Sequence, residues 1–136
     1  MPIRNPELIN CPKLGAPEIG YISATEQQFM PSEAKHIFWT YYTPESILRC
    51  WHAHYTTEQF LIAAAGRITV TTELADGTIQ SFRLEDPHEG LYMPPHVWYT
   101  MQYSHSAVPL VLASMLYDEA DYIRSYDEFK RVWQNK

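Results

Sequence analysis

The sequence predicts an all-β domain, a small barrel or sandwich, followed by one C-terminal helix. Short runs rich in β-branched and aromatic residues recur through the middle of the chain and are separated by Gly, Pro and Ser turns. Near the C-terminus the apolar spacing changes to three and four residues, which is the period of an amphipathic helix. A chain of 136 residues fits one compact domain, so we expect a single domain over residues 1–136.

The N-terminal stretch, residues 1–20 approximately, is rich in Pro and polar residues and is predicted to be an arm or an edge strand. The barrel is predicted over residues 35–117 approximately. Its strands are expected at 37–43, 47–55, 59–64, 67–73, 79–84, 90–93, 98–103 and 108–114. The Asp76-Gly77 dipeptide is the clearest hairpin turn, because Gly tolerates the positive φ that tight hairpins require.

The tail carries an apolar stripe at helical spacing, formed by Tyr122, Tyr126, Phe129 and Trp133. These residues are separated by four, three and four positions, so they share one face of a helix. The pattern predicts a helix over residues 119–133 approximately, docked on the barrel through this stripe.

Composition excludes several classes of function. The formal net charge is −6 and the ten Lys and Arg residues are scattered, which argues against nucleic acid as a partner. No apolar stretch approaches the roughly 18–20 residues needed to cross a membrane, and the polar N-terminus lacks a signal-peptide core, so we expect a cytoplasmic protein without a membrane partner. The two cysteines form no C-x-x-C pair and are expected to be reduced.

The segment that carries chemistry is His52-Ala53-His54. The two histidines lie two positions apart in a strand-like run, so their side chains point to the same face. Glu58 follows four residues later and Gly66 closes the next predicted strand, giving the order H-x-H-x3-E-x7-G. This order resembles the first motif of the cupin superfamily, whose histidines and acid face the inside of a barrel.

A second cupin-like phrase, GLYMPPHVW at residues 90–98, follows at the expected distance. Metal-binding cupins place a histidine at the position of Tyr99. The resemblance therefore implies a possible divalent-metal site formed by His52, His54 and Glu58, with Tyr99 or water completing it. Histidine and carboxylate ligands suit Zn, Fe, Mn or Ni.

Taken together, three stretches are similar to the sugar 3,4-ketoisomerase family, the WxcM-like or FdtA-like cupins. They are RCWHAHYTTEQ at 49–59, GLYMPPHVW at 90–98 and VLASMLYDEADYIRSYDEF at 111–129. The resemblance implies a small RmlC-like jelly-roll barrel and a homodimer that binds a nucleotide-linked sugar. It further implies that the protein moves the ketone between C4 and C3 of a dTDP-4-keto-6-deoxyhexose without a cofactor, in deoxysugar and surface-polysaccharide biosynthesis.

The same resemblance assigns roles to individual residues. His54 is the expected base, His52 its partner or proton shuttle, and Tyr99 a third catalytic residue. Arg49 would meet the pyrophosphate or a sugar oxyanion through its planar fork of donors. The complete set expected to bind substrate is Arg49, Tyr41, Tyr42, Glu58 and Trp98.

The chain departs from the family pattern at four positions: Ile19 stands where the family has Arg, Cys50 where it usually has Gly, Tyr55 where it usually has Lys, and Tyr99 where it often has His. Two other hypotheses therefore stay open. One is a metal-dependent cupin enzyme that uses the two histidines and Glu58. The other is a cupin that binds a nucleotide sugar without catalysis.

Overall fold

A computed structural model of the chain describes residues 5–25 and 33–134. It has strands β1 (Glu7–Asn10), β2 (Lys13–Ala16), β3 (Gly20–Ser23), β4 (His36–Trp39), β5 (Leu48–His54), β6 (Gln59–Ala65), β7 (Ile68–Glu73), β8 (Ile79–Leu84), β9 (Glu89–Met93), β10 (Trp98–Tyr103), β11 (Val108–Ala113) and β12 (Tyr122–Ile123). A short 3-10 helix spans Glu119–Asp121 and helix α1 spans Tyr126–Gln134. The helix is too short to cross a membrane, and no other described segment forms a longer one.

The strands form two antiparallel five-stranded sheets, ordered β1-β9-β6-β11-β4 and β12-β5-β10-β7-β8. Strands β2 and β3 form a separate hairpin. The two large sheets are not hydrogen-bonded into one closed cylinder among the described residues. This double-sheet architecture confirms the predicted all-β jelly-roll fold.

Alternation along the strands builds the core between the two sheets. Leu61 and Leu91 from the first sheet pack with Val70 and Met101 from the second, and all four are almost fully buried. Their strand neighbours point to the opposite faces, as Phe60 does in β6. The histidine segment lies in β5, between β12 and β10 of the second sheet, and its two histidines face this shared interior beside Tyr99.

The termini differ in part from the predictions. The N-terminal arm contains the predicted edge strand, because β1 pairs with β9 at the border of the first sheet. At the other end, the prediction of a helix from residue 119 is wrong, since α1 begins at Tyr126. The residues before α1 form the 3-10 turn Glu119–Asp121 and then strand β12, which pairs with β5, and the Asp121 carbonyl accepts a hydrogen bond from the Tyr55 N–H.

Helix α1 docks on the outer face of the second sheet. Phe129 is fully buried there in a cluster with Ala53, Trp98 and Ile123, which confirms the predicted docking role of Phe129. Tyr126 contacts the Trp98 ring as well. Tyr122, the third member of the predicted stripe with a described side chain, lies in β12 and not in the helix. The side chain of Trp133 lies outside the described part of the chain.

Candidate active site

The two histidines of β5 lie side by side in the interior. His52 is 9% exposed and His54 is 3% exposed, and their ring centroids are 4.9 Å apart. Ala53 between them points to the opposite face, where it packs beneath helix α1. The predicted convergence of the pair on one face is therefore confirmed.

A bulge in β5 precedes the pair and sets its orientation. Cys50 and Trp51 have φ values of 82° and 56°, and the register with β10 shifts between Tyr99 and Thr100. Left-handed φ favours Gly, which agrees with the Gly that the family resemblance leads us to expect at the position of Cys50. The bulge brings the Cys50 carbonyl oxygen to 3.1 Å from Nδ1 of His52.

His52 continues into a buried hydrogen-bond chain. Its Nε2 lies 3.0 Å from the Tyr99 hydroxyl, which lies 2.8 Å from Oε1 of Gln59. Because the Cys50 carbonyl can only accept, Nδ1 of His52 donates, which leaves Nε2 of the neutral ring as an acceptor facing the Tyr99 hydroxyl, while that hydroxyl donates to Oε1 of Gln59. Tyr99 has one hydroxyl proton for two neighbours. Whether this hydroxyl donates to Gln59 or to His52 therefore depends on the protonation of His52.

Burial fixes the charge state of these groups. It lowers the pKa of His52 to about 4, and burial followed by the charge of neighbouring His52 lowers the pKa of His54 to about 3. Burial also raises the pKa of Tyr99 well above its usual value. Both imidazoles are thus neutral near pH 7, and Tyr99 keeps its proton.

A cavity of about 370 Å³ opens beside His52, and His54 is not part of its lining. Its lining includes His52, Tyr99 and Gln59 together with Arg49 and Cys50. A recess of about 10 Å³ beside His54 shares Gln59 with it. A larger cavity, about 580 Å³, lies under the β2–β3 hairpin on the outer face of the first sheet, and neither His52 nor His54 lines it. The cavity beside His52 is therefore the candidate site, since proton-transfer groups line it.

Of the predicted substrate-binding residues, Arg49 reaches this cavity. It is an exposed residue of β5, at the cavity wall. Tyr41 and Tyr42 follow the end of β4 and are 58% and 77% exposed. They pack edge to face on each other and do not line the described cavity. The structure gives Arg49, and not this tyrosine pair, a place at the site.

Glu58 does not join the histidines. Its carboxylate accepts a hydrogen bond from the Tyr92 hydroxyl, on the face of the first sheet that points away from the interior. Gln59, the next residue, faces the interior instead because successive strand residues alternate. The described residues contain no cluster of three His, Cys, Asp or Glu side chains that fits a metal ion. The ligand set His52, His54 and Glu58 is therefore not assembled.

Trp98 was also expected at the substrate, and the structure places it elsewhere. It lies on the outer face of the second sheet, with ring centroids 5.9 Å from Phe129 and 5.5 Å from Tyr126. Its neighbour Tyr99 takes the inward direction. The predicted substrate contact of Trp98 is replaced by packing against helix α1.

The structure adds site residues that the sequence reasoning missed. Tyr122 lies against both histidine rings and Arg124 lines the cavity beside it. Gln59 completes the hydrogen-bond chain. Strand parity could have identified Gln59, but Tyr122 fitted a helical stripe equally well, so no local signal distinguished its role.

Comparisons with known proteins agree with this geometry. The family model described as "FdtA: WxcM-like, C-terminal" matches residues 4–134. A TDP-4-oxo-6-deoxy-α-D-glucose 3,4-oxoisomerase of Aneurinibacillus thermoaerophilus is 37% identical over 127 residues, which cover 92% of this chain and 90% of that protein.

Two solved structures are similar over nearly the whole chain. A sugar 3,4-ketoisomerase of Thermoanaerobacterium thermosaccharolyticum, in complex with TDP, has a TM-score of 0.90 and 32% identity, covering 96% of each chain. A TDP-quinovose 3,4-ketoisomerase of Campylobacter jejuni has a TM-score of 0.88 and 34% identity, covering 95% of this chain and 99% of that one. With a family match along almost its entire length and close relatives of one kind, this chain belongs to the WxcM-like (FdtA-like) family of sugar 3,4-ketoisomerases.

Proposed function

We propose that the protein moves the ketone between C4 and C3 of a TDP-linked 4-keto-6-deoxyhexose. The names of its relatives describe this reaction, and one of the similar structures contains TDP. In this chain, the observation that carries the proposal is the buried, neutral His52–His54 pair, of which His52 lines the cavity and His54 lines the adjoining recess. A neutral imidazole in a protected site can accept a proton from carbon and return it.

The reaction is redox-neutral overall, so the proposal includes no cofactor. A base removes the C3 proton, the C–H electron pair forms a C3=C4 double bond, and the carbonyl electron pair moves to O4, which takes up a proton. The resulting enediol loses its O3 proton, the C3=O bond forms, and C4 receives the proton from carbon. No atom is gained or lost, and each proton needs a group that both accepts and donates.

His54 suits the carbon-to-carbon transfer. Neither of its ring nitrogens hydrogen-bonds a described residue, so they stay available to substrate, whereas both nitrogens of His52 are engaged. The lowered pKa of His54 means that its protonated form is a strong acid, which favours prompt return of the proton to C4. We therefore assign His54 as the base and subsequent acid.

His52 and Tyr99 suit the protons on oxygen. In the hydrogen-bond chain of His52, Tyr99 and Gln59, the single hydroxyl proton of Tyr99 can turn between Gln59 and His52 as the protonation of His52 changes. We assign this chain to the movement of a proton between O3 and O4. Gln59 holds the Tyr99 hydroxyl in place.

Binding of the nucleotide is assigned to Arg49 at the cavity wall. Its planar guanidinium matches the paired oxygens of a diphosphate, and it forms no ion pair with a carboxylate among the described residues. We further propose that the protein acts as a homodimer in the cytoplasm, in deoxysugar and surface-polysaccharide biosynthesis, as its family resemblance implies.

The decisive experiment incubates the purified protein with TDP-4-keto-6-deoxyglucose in D₂O and follows C3 and C4 by NMR. We expect deuterium at these carbons and formation of the 3-keto sugar. His54→Asn should abolish both while TDP affinity, measured by calorimetry, stays within about twofold. His105→Asn, at an exposed turn, serves as the control.

Two outcomes would contradict the proposal. Failure of the wild type to exchange deuterium into several TDP-4-keto sugars, with TDP still bound tightly, would favour a binding cupin without catalysis. An unchanged rate in His54→Asn would reject the assignment of the base.

A further inference from the structure

Tyr122 lies beside the two histidines but has no role in the proton transfers proposed above. It lies in β12, opposite His54 in the register with β5. Its ring centroid is 4.6 Å from that of His54 and 4.9 Å from that of His52. Tyr122 thus covers the catalytic pair from the side of the C-terminal segment, and it lines both the cavity and the recess beside it.

The hydroxyl of Tyr122 is available, although its ring is held on two sides. The Arg124 guanidinium lies 4.5 Å from the ring centroid, and the two histidines contact the ring as well. Arg124 is itself fixed by a bidentate ion pair with Glu119, with N–O distances of 2.5 Å and 2.9 Å. In contrast, the Tyr122 hydroxyl forms no hydrogen bond with any described residue, while the hydroxyls of Tyr117, Tyr126 and Tyr99 all form one.

Asp121 fixes the backbone that carries Tyr122. Its Oδ1 accepts from the backbone N–H and the hydroxyl of Thr56 at 2.9 Å and 2.7 Å. Its Oδ2 accepts from the backbone N–H of Thr57 at 3.0 Å and from the Thr57 hydroxyl. Asp121 is 8% exposed, and its two bonds to Thr57 are buried while the two to Thr56 are partly buried; each has a charged acceptor, which strengthens it. This carboxylate therefore joins the turn after β5 to the residue next to Tyr122.

We propose that Tyr122 is a catalytic residue that donates a hydrogen bond from its hydroxyl to the sugar oxygen on which negative charge develops, and that Asp121 is its positioning residue. The inference rests on the proposed function, because it names a further group for that reaction. Enediolate formation moves an electron pair onto O4, and a preorganised donor at that oxygen lowers the barrier. Tyr122 forms no bond to the substrate and keeps its proton throughout, in agreement with its pKa, which burial raises.

The test for Tyr122 is Tyr122→Phe, which removes the hydroxyl and retains the ring contacts. We expect kcat to fall about 10- to 100-fold, with TDP affinity and the midpoint of thermal unfolding close to wild type. Tyr126→Phe is the matched control, because its hydroxyl bonds Glu73 on the outer face, away from the cavity. A Tyr122→Phe enzyme with wild-type kcat would overturn the assignment and leave the residue as packing.

The test for Asp121 is Asp121→Asn, which cannot accept all four hydrogen bonds. We expect kcat to fall while KM and TDP affinity change less than threefold. The double variant with Tyr122→Phe should be little slower than the slower single variant, because both changes remove one interaction. Asp118→Asn is the control, since this exposed carboxylate caps the same 3-10 helix through the Ala120 N–H.

Each outcome of these experiments is informative. If Asp121→Asn does not fold, Thr56→Val, which removes one of the four donors, should show a smaller fall of kcat in the same direction. Fully multiplicative effects in the double variant, or a wild-type kcat in Asp121→Asn, would overturn the positioning role. A wild-type enzyme without turnover would instead count against the proposed function, so the two failures are distinguishable.

Discussion

Mild acid should weaken the fold through the same two histidines that serve the reaction. In the folded chain burial lowers the pKa of His52 to about 4 and that of His54 to about 3, whereas in the unfolded chain both return to the ordinary value of 6.5. Below pH 6.5 the unfolded state therefore binds protons that the folded state does not bind. The free energy of unfolding must fall as the pH falls, and it is unaffected by these groups above pH 6.5.

The size of the effect follows from the two shifts. Each histidine contributes a loss of about 1.4 kcal/mol per pH unit between pH 6.5 and its folded-state pKa. At pH 5 the loss is about 2 kcal/mol for each histidine and about 4 kcal/mol for the pair, which is a large share of the roughly 5–15 kcal/mol typical of a domain. The pKa values of Asp121 and Glu119 are lowered in the fold, so protonation of these carboxylates reduces the free energy of unfolding only below their ordinary values of 3.8 and 4.5.

Denaturant unfolding followed by tryptophan fluorescence at pH 7, 6 and 5 measures this difference. We expect the wild type to lose about 4 kcal/mol from pH 7 to pH 5, and His52→Asn and His54→Asn to lose about half as much. His105→Asn, which replaces an exposed histidine, should keep the wild-type dependence. If both site variants lost as much stability as the wild type, the histidines would not be buried and neutral, and the argument for His54 as a neutral base would fail with them.

Three further predictions concern packing, backbone and binding. Trp98→Ala should lower the free energy of unfolding by about 3–5 kcal/mol, because it leaves a cavity against Phe129, while kcat stays within about threefold; denaturation and turnover assays check this. Gly66→Ala should cost about 1–3 kcal/mol in the same denaturation assay, because φ is 70° and a Cβ would lie 2.6 Å from the backbone of Ala107. Arg49→Ala should raise KM about tenfold or more with a smaller change in kcat, as steady-state kinetics would show.

Most strands could be predicted because their apolar residues alternate or their ends carry turn residues. Predicted strands 79–84 and 98–103 coincide with β8 and β10. The turn between β7 and β8 is formed as Asp76-Gly77 indicates, with φ of 92° at Gly77. Strand β4 is shorter than predicted, since it ends at Trp39, and Tyr42 has φ of 60°, which is outside the extended conformation despite the β-forming composition of the segment.

The site residues could be predicted where the motif itself fixes which side chains share a face of the strand. They could not be predicted where the facing of a side chain depends on the register of the strand in the sheet. His52 and His54 share a face whatever the register. Glu58 and Trp98 were each expected at the site, but the neighbouring Gln59 and Tyr99 point inward. A shift of one residue reverses every side chain of a strand, and the sequence around these positions is apolar enough to suit either direction.

The position of Tyr122 could not be predicted from the sequence for a different reason. A two-residue strand and one turn of helix both fit its spacing, and the choice depends on contacts far away in the sequence. Asp121 binds the Thr56–Thr57 turn across more than sixty positions of the chain. Local periodicity contains no information on such a contact, so the structure alone could place this residue over the histidines.

The site gains its chemistry at the expense of stability, and the two cannot be separated in this fold. Burial keeps His52 and His54 neutral, and the same burial makes the protein sensitive to acid. The left-handed residues Cys50 and Trp51 add backbone strain of roughly 1–3 kcal/mol each, yet the bulge that they form brings a carbonyl to Nδ1 of His52. That contact leaves Nε2 of neutral His52 as the acceptor that faces the Tyr99 hydroxyl. A regular β5 would be less strained, but nothing in it would select the tautomer of His52 on which the proposed movement of protons between oxygens depends.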